Sequence, residues 1–167
     1  MTVTGLPAGV WASIRNLEVY DRPFQADLVP FKLVNRKSGK VLDISGASTA
    51  DGAVAIQWTD TGGTNQQFRL VANADGSYRM VNVKSGKVLD SPNSSAVGAQ
   101  LDQWTDNGGD NQAWKLVAST TSGYYRIVNV RTGWYVDVSG ASTADGAQVI
   151  QWTGTGGSNQ DWQLVAV

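Results

Sequence analysis

The chain has 167 residues, 41% of them hydrophobic, a formal net charge of −1, and neither cysteine nor histidine. This length suits one domain with a short appendage, and the charge lacks the basic surface of a nucleic-acid or anionic-membrane binder, so we expect neutral molecules or proteins as partners. Without thiols and imidazoles the chain forms no disulfides, no Ser-His-Asp or Cys-His catalytic site and none of the usual metal clusters. We therefore predict no cofactor and no metal. Pairs of carboxyl groups remain as a route to catalysis.

Residues 1–30 have no counterpart later in the chain. Met1 to Trp11 has neither a basic n-region nor a long apolar stretch, so it is not a signal peptide, and nothing predicts membrane insertion. The stretch GVWASIRNLEVYDRP from Gly9 alternates like a strand before its proline. It resembles the last strand of a jelly-roll domain from a larger secreted glycoside hydrolase, which makes residues 1–30 an extension or the remnant of a preceding domain. The alternative is an extra strand that packs Trp11 on the next domain.

From Phe31 onward the chain repeats itself three times with a period of about 47 residues. The copies span about 31–76, 77–123 and 124–167, and they open with FKLVNRKSGKVLDIS, YRMVNVKSGKVLDSP and YRIVNVRTGWYVDVS. They close with IQWTDTGGTNQQFRLV, DQWTDNGGDNQAWKLV and IQWTGTGGSNQDWQLV. This repetition in register indicates one structural unit used three times.

Each copy predicts about four β-strands, because short runs of Val, Ile, Leu and aromatic residues alternate with clusters of Gly, Asn, Ser and Asp. Gly39, Gly86 and Gly133 are placed to close the first hairpin of each copy. A unit this short does not bury its own apolar face, so we expect the copies to share one core around a pseudo-three-fold axis. The sequence therefore predicts an all-β fold, a β-trefoil, over residues 31–167.

The closing steps of the copies carry a further resemblance. Gln66-Gln67-Phe68, Gln112-Ala113-Trp114 and Gln160-Asp161-Trp162 resemble the QxW signature of ricin-B-type lectins and carbohydrate-binding module family 13. Phe68 is a conservative departure from Trp. The resemblance implies one shallow sugar pocket per copy, with an aspartate, an aromatic platform and an asparagine, and a glutamine that braces the aspartate. By position, the implied pockets are Asp43, Trp58, Asn65 and Gln66; Asp90, Trp104, Asn111 and Gln112; and Asp137, Trp152, Asn159 and Gln160.

These residue types also suit a sugar on chemical grounds. A pyranose offers an apolar C–H face and a rim of hydroxyls, so its binder needs a flat aromatic ring and a short side chain that accepts two hydrogen bonds. An ionised carboxylate makes charge-assisted bonds to neighbouring hydroxyls, and Asn both donates and accepts beside it. Three weak, wet pockets on one rigid body gain strength through avidity.

Each of these residues also has a purely structural interpretation. Trp114 and Trp162 are predicted to lie in the core. The tryptophans of the implied pockets are either core residues or sugar platforms, and the aspartates either cap turns through backbone N–H groups or bind ligand. We favour the binding role for both. The glutamines are expected mainly to tie loops together, and for the asparagines both roles stay open.

The three copies are not equivalent. The first and third share DISGASTADGA and DVSGASTADGA, whereas the second has the shorter DSPNSSAVGA with Pro92. Asp102 also replaces an isoleucine and adds a carboxylate near the second pocket. We therefore predict altered selectivity or lost binding in the second pocket, and we rank the third pocket ahead of the first.

The sequence thus predicts a non-enzymatic, extracellular binder of mono-, oligo- or polysaccharides. It does not determine the oligomeric state, for which a monomer is the default. The resemblance implies galactose-type sugars, and the domain is either free-standing or a C-terminal targeting module of a secreted glycoside hydrolase. One alternative is a protein-interaction or inhibitor trefoil, because one fold serves many functions. That alternative gives no reason for Asp, Trp and Asn-Gln to recur in register. A glycosidase is the other alternative, and it requires two carboxyl groups with well-separated pKa values.

Overall fold

A computed structural model describes residues 29–92 and 96–167. These ranges hold twelve β-strands, four in each copy, with five single-turn 3₁₀ segments between them. The strand predicted from Gly9 and the packing of Trp11 lie outside the described residues. No helix within the described ranges is long and apolar enough to cross a membrane. The strands are β1 (Phe31–Asn35), β2 (Val41–Ile44), β3 (Ala53–Trp58), β4 (Phe68–Ala72), β5 (Tyr78–Asn82), β6 (Val88–Asp90), β7 (Asp102–Trp104), β8 (Trp114–Ala118), β9 (Tyr125–Asn129), β10 (Tyr135–Val138), β11 (Val149–Trp152) and β12 (Trp162–Ala166).

The first strand of each copy pairs with the last strand of the copy before it. β1 pairs with β12, β5 with β4 and β9 with β8, each antiparallel over five residue pairs. Single pairs, such as Phe31 with Phe68, link these hairpins into a closed ring of six strands. The third copy closes onto the first, so the ring has no open edge. This closure confirms the predicted β-trefoil.

The second and third strands of each copy form a separate hairpin. In the first copy, Val41 pairs with Trp58 and Asp43 with Ile56. The turn before this hairpin is closed by Gly39, whose φ is +69° and whose N–H donates to the Asn35 carbonyl at 2.8 Å. The hairpins also contact one another, through the β3–β7 pairing and isolated bridges such as that of Ile56 with Gln148. They form the cap that positions the candidate pockets.

The apolar core lies inside the ring and beneath the cap. Its largest members include Trp114, Trp162 and Phe68, which are at most 1% exposed. Each indole N–H is also satisfied, since Trp114 Nε1 donates to the Leu89 carbonyl at 3.0 Å and Trp162 Nε1 to the Val136 carbonyl at 3.1 Å. The predicted core role of Trp114 and Trp162 is confirmed.

Trp114→Ala should destabilise the domain by about 3–5 kcal/mol, because it removes a fully buried ring and leaves a cavity. Trp104→Ala is the matched control, and it should lower the free energy of unfolding by about 1 kcal/mol or less, because Trp104 is 44% exposed. Urea denaturation followed by circular dichroism measures both values. Equal losses in the two variants would contradict this division between core and surface tryptophans.

Candidate functional site

One aspartate of each copy lies on the second strand: Asp43 in β2, Asp90 in β6 and Asp137 in β10. Two amides hold the Asp43 carboxylate, since Gln66 Nε2 donates to Oδ2 at 2.8 Å and Asn65 Nδ2 donates to the same oxygen at 3.1 Å. The corresponding bonds measure 2.8 and 3.0 Å in the second copy and 2.7 and 3.0 Å in the third. The structure therefore brings together the predicted Asp, Asn and Gln in every copy.

The two amide bonds leave the second oxygen of each aspartate, Oδ1, without a hydrogen bond from the described residues. No backbone N–H of the described chain donates to these carboxylates, so the interpretation of the aspartates as turn caps is wrong. Burial raises the pKa of Asp43, Asp90 and Asp137, while the bonds from Gln and Asn act in the opposite direction by favouring the charged form. Each pocket thus holds a carboxylate fixed through one oxygen, with the other oxygen able to accept a bond from a ligand.

The tryptophan of each predicted pocket stands on the same face as the aspartate. Asp43 pairs across the hairpin with Ile56, two residues before Trp58, so Asp43 and Trp58 project to the same side. Trp58, Trp104 and Trp152 are 41%, 44% and 39% exposed, so the interpretation of these rings as core residues is wrong. Each indole rests on a glycine of the copy that precedes it in the closed ring of strands. A Cβ added at Gly146 would lie 3.5 Å from Cζ3 of Trp58, one at Gly52 would lie 3.5 Å from Cζ3 of Trp104, and one at Gly98 would lie 3.1 Å from Cζ3 of Trp152.

The pocket glutamine has two structural tasks. Besides bracing Asp43, Gln66 Nε2 donates to the Thr59 carbonyl at 3.0 Å, and Gln66 Oε1 accepts from the Thr61 N–H at 2.8 Å. The same pattern recurs in the other two copies. The fully buried glutamine therefore orients the carboxylate and also ties the loop between the third and fourth strands, as predicted.

The pocket asparagine is held from three sides. Asn65 Nδ2 donates to the Ile44 carbonyl at 3.3 Å as well as to Asp43. Asn82 of the next copy donates to the Asn65 carbonyl at 3.0 Å. The Asn65 side chain lies against Gly63, where an added Cβ would be only 2.6 Å from Oδ1. Equivalent glycines lie under the other two asparagines at 2.5 Å, so each asparagine fits only because a glycine makes room for it.

Three further glutamines, whose role the sequence did not predict, anchor the strands that carry the pocket tryptophans to the preceding copy. Gln57 is fully buried one residue before Trp58, and its Nε2 donates to the Ser142 and Ala144 carbonyls of the preceding copy at 3.0 and 2.9 Å. Its Oε1 accepts from the Ser38 hydroxyl at 2.7 Å. Gln103 and Gln151 bridge copies in the same way. Their recurrence immediately before each pocket tryptophan is the sequence signal that identifies them.

Sequence comparison assigns the chain to a family. A model of ricin-type beta-trefoil lectin domain-like proteins matches residues 25–104 and 110–167. The chain belongs to this ricin-type lectin family. The ricin-type fold and its lectin neighbours support carbohydrate binding in general, and domains of this family are typically non-catalytic.

Several solved structures share this ricin-type fold. The designed three-fold symmetric protein ThreeFoil is 50% identical, with a TM-score of 0.80 over 83% of this chain and 99% of that chain. An exo-β-1,3-galactanase from Clostridium thermocellum is 45% identical, with a TM-score of 0.82 over 84% of this chain but only 31% of the galactanase. A ricin B-like lectin from Macrolepiota procera, solved with lactose, is 25% identical, with a TM-score of 0.71 over 81% of this chain and 94% of the lectin. No curated protein matches the chain in sequence.

The second pocket of this ricin-type domain contains an additional carboxyl group. Asp102 takes the place of the isoleucine and pairs with Asp90 across the β6–β7 hairpin, so the two carboxyl groups project from the same face. Asp102 Oδ1 is buried without a hydrogen-bond partner in the described part of the chain. Burial, reinforced by the charges of Asp90 and Asp51, raises the pKa of Asp102 to about 7. The altered loop of this copy includes residues 93–95, which lie outside the described ranges.

Asp102→Asn should stabilise the domain near neutral pH, by on the order of a few kcal/mol. The ordinary Asp pKa is 3.8 and the folded pKa is about 7, so the wild-type chain loses stability as the pH rises between these values. Below the lower pKa the carboxyl group is protonated in both states, and the difference between the variant and wild type should vanish. Urea denaturation at about pH 3 and about pH 8 measures this difference. A stabilisation that is the same at both pH values would contradict the assignment to Asp102 ionisation.

Proposed function

We propose that this domain binds carbohydrate without catalysis, at pockets centred on Asp43, Asp90 and Asp137. The observation that carries the proposal is the fixed carboxylate whose Oδ1 accepts no hydrogen bond from the described chain, on the same face as a half-exposed tryptophan. A buried carboxylate serving only the fold would be expected to have both oxygens satisfied. A ring left this exposed contributes little to the core and is free to stack on a ligand.

A pyranose ring matches the geometry of each pocket. Its apolar C–H face packs on the exposed indole, and its hydroxyls donate to the free aspartate oxygen in charge-assisted bonds. In the first pocket, Asn65 Nδ2 is already used by Asp43 and Ile44, so Asn65 Oδ1 is the atom that accepts a second sugar hydroxyl. A shallow site with two acceptors and one ring selects for hydroxyl geometry and binds weakly.

The ligand class that we propose is galactose-type sugars. Two relatives support this choice: an exo-β-1,3-galactanase that is 45% identical to this chain, and a ricin B-like lectin that was solved with lactose, a galactose-containing disaccharide. The near-zero net charge also favours neutral sugars over anionic ones. Three weak pockets on one rigid ring suit repetitive ligands, because simultaneous binding raises the overall affinity.

We further propose that the domain is extracellular, acts as a monomer and targets a glycoside hydrolase to its substrate. The support is the galactanase relative, of which the match covers 31%, together with the resemblance of the segment from Gly9 to the last strand of a jelly-roll domain. A non-catalytic domain of this kind keeps an attached enzyme close to a polymer by raising its effective concentration.

Replacing Asp43 or Asp137 by Ala should weaken galactose and lactose binding at the altered pocket by about tenfold or more, because the charge-assisted bonds to the sugar are lost. Asp90→Ala, in the pocket predicted to have altered selectivity or lost binding, should weaken whatever binding that pocket has. Nuclear magnetic resonance titration of the Trp58, Trp104 and Trp152 indole signals reports on each pocket separately. Asp75→Ala is the matched control, because Asp75 lies in the turn between β4 and β5 and bonds only within that turn. It should leave all three affinities unchanged.

Two outcomes would contradict the proposal in different ways. Full affinity in all three Asp→Ala variants would show that the sites lie elsewhere on the domain. Robust turnover of chromogenic galactosides by the purified wild-type chain would contradict a non-catalytic role.

Gly157→Ala should weaken binding at the third pocket alone, by about fivefold, because the added methyl group displaces the Asn159 side chain that contacts the sugar. An added Cβ would lie 2.5 Å from Asn159 Oδ1, whereas the φ of Gly157, −69°, suits any residue. The Trp58 indole signal provides the internal control, since the first pocket should keep its affinity. Unchanged affinity at Trp152 would show that Asn159 does not contact the ligand.

A further inference from the structure

The third pocket lacks a charged contact that borders the other two. In the first copy Lys40 Nζ pairs with Asp145 Oδ1 at 2.8 Å, and Asp145 accepts from the N–H of Thr59, which follows the pocket tryptophan. The second copy has the same ion pair at 2.7 Å. At the third boundary the corresponding residues are Trp134 and Val97, and Val97 is 40% exposed. The third pocket is therefore bordered by apolar residues where the others are bordered by charge.

The third pocket also gains an aromatic ring on its own hairpin. Tyr135 occupies the position at which the first two copies have valines that are only 1% exposed. It pairs across β10–β11 with Trp152 and lies two residues before Asp137, so all three side chains project from the same face. The Tyr135 hydroxyl makes no hydrogen bond within the described ranges. The pocket thus has a second ring beside its tryptophan.

Space for this ring comes from a compensating glycine. The Tyr135 ring lies over Gly154, where an added Cβ would be 2.8 Å from Cε2 and 3.1 Å from Cζ. The first two copies have Asp60 and Asp106 at this position, and both aspartates form ion pairs. No positive φ requires a glycine here, so the close approach of the ring is what excludes a side chain.

A second compensation supplies a new partner for the cation that loses its aspartate to this glycine. In the first copy Lys32 pairs with Asp60 at 2.8 Å. In the third copy Arg126, the equivalent of Lys32, instead pairs through Nε with Asp161 Oδ1 at 3.2 Å. The cation keeps a partner, while Gly154 places no carboxylate in front of Tyr135 where the other copies have Asp60 and Asp106. The five replacements at Trp134, Val97, Tyr135, Gly154 and Asp161 together convert a charged rim into an aromatic one.

We propose that Tyr135 and Trp152 form an extended subsite in which Tyr135 binds the sugar residue linked to the one held at Asp137. This inference rests on the proposed function of the third pocket. The first pocket, which has valine at the Tyr135 position and no added carboxyl group, binds a single sugar residue. The third pocket binds an oligosaccharide segment, so the domain combines one extended site with a simple one.

The chemistry of the subsite suits a second neutral sugar. A tyrosine ring stacks on a pyranose face, and its hydroxyl donates to or accepts from a sugar hydroxyl while remaining accessible to water. Cross-strand neighbours on one face have Cβ atoms about 5 Å apart, which places adjacent rings where adjacent sugar residues of a chain can each contact one. The apolar border of Trp134 and Val97 removes the charges that would otherwise need to be desolvated.

The test compares galactose with β-1,3-linked galactobiose on the full chain, with the indole signals of Trp58 and Trp152 followed by nuclear magnetic resonance. At Trp152 the disaccharide should bind about fivefold tighter than galactose, whereas at Trp58 the two affinities should agree within about twofold. Tyr135→Val introduces the residue of the other copies. It should reduce the preference at Trp152 to that at Trp58 and leave galactose affinity there unchanged.

The possible failures are distinguishable. Equal affinities for the two sugars at wild-type Trp152, or a preference that survives Tyr135→Val, would overturn the subsite and leave the proposed function intact. An equal loss of both sugars in Tyr135→Val would make Tyr135 part of the primary pocket and would also overturn the subsite. A sedimentation coefficient that falls in this variant would assign the ring to self-association instead. If neither sugar shifts any indole signal, the proposed galactose-type function itself is wrong.

A reciprocal variant guards against an effect of Tyr135→Val on folding. Val41→Tyr combined with Asp60→Gly builds the same ring and the same space in the first pocket. The preference for galactobiose should then appear at Trp58, with the value at Trp152 as the internal reference. A folded double variant without this gain would contradict the proposal.

Discussion

The pairing of each copy's first strand with the last strand of the preceding copy is the constraint on which the rest of the structure depends. It closes the ring and creates a core that no single copy can form. It also completes the pockets, because Trp58 rests on Gly146 of the preceding copy and the Asn65 carbonyl is held by Asn82 of the next. Each candidate pocket is therefore completed by residues of the two neighbouring copies, so the pockets form only when the ring of strands closes.

Within each pocket, buried amides determine how the carboxylate is presented. Gln66 and Asn65 both donate to one oxygen of Asp43, so the other oxygen accepts no bond from the protein's own described donors. A ligand that binds to such a preorganised group does not have to order it first. The outer residues can then vary while this frame stays constant, as Asp102 in the second copy and Tyr135 in the third illustrate.

The sequence was sufficient for the repeats, the four strands of each copy, the core role of Trp114 and Trp162, and the residues that meet at each aspartate. These follow from local patterns or from the resemblance of the closing steps. The recurrence of Gln57 and its equivalents before each pocket tryptophan was visible in the sequence, but their structural role was missed, because their partners are backbone carbonyls of another copy. The packing of the Tyr135 ring against Gly154 was missed for a related reason, since it depends on contacts across a hairpin. The sequence alone left the pocket tryptophans with two interpretations, and only their exposure decided between these.

The ends of the trefoil lie side by side, because the Val167 N–H donates to the Pro30 carbonyl at 3.0 Å. The chain thus enters and leaves the ring at one of three topologically equivalent boundaries between copies. Opening the turn between β4 and β5, or that between β8 and β9, and joining Pro30 to Val167 would give a circular permutant with every strand pair retained. Which copy comes first along the chain is then independent of the architecture, and an extended site placed in any copy would occupy an equivalent position around the ring.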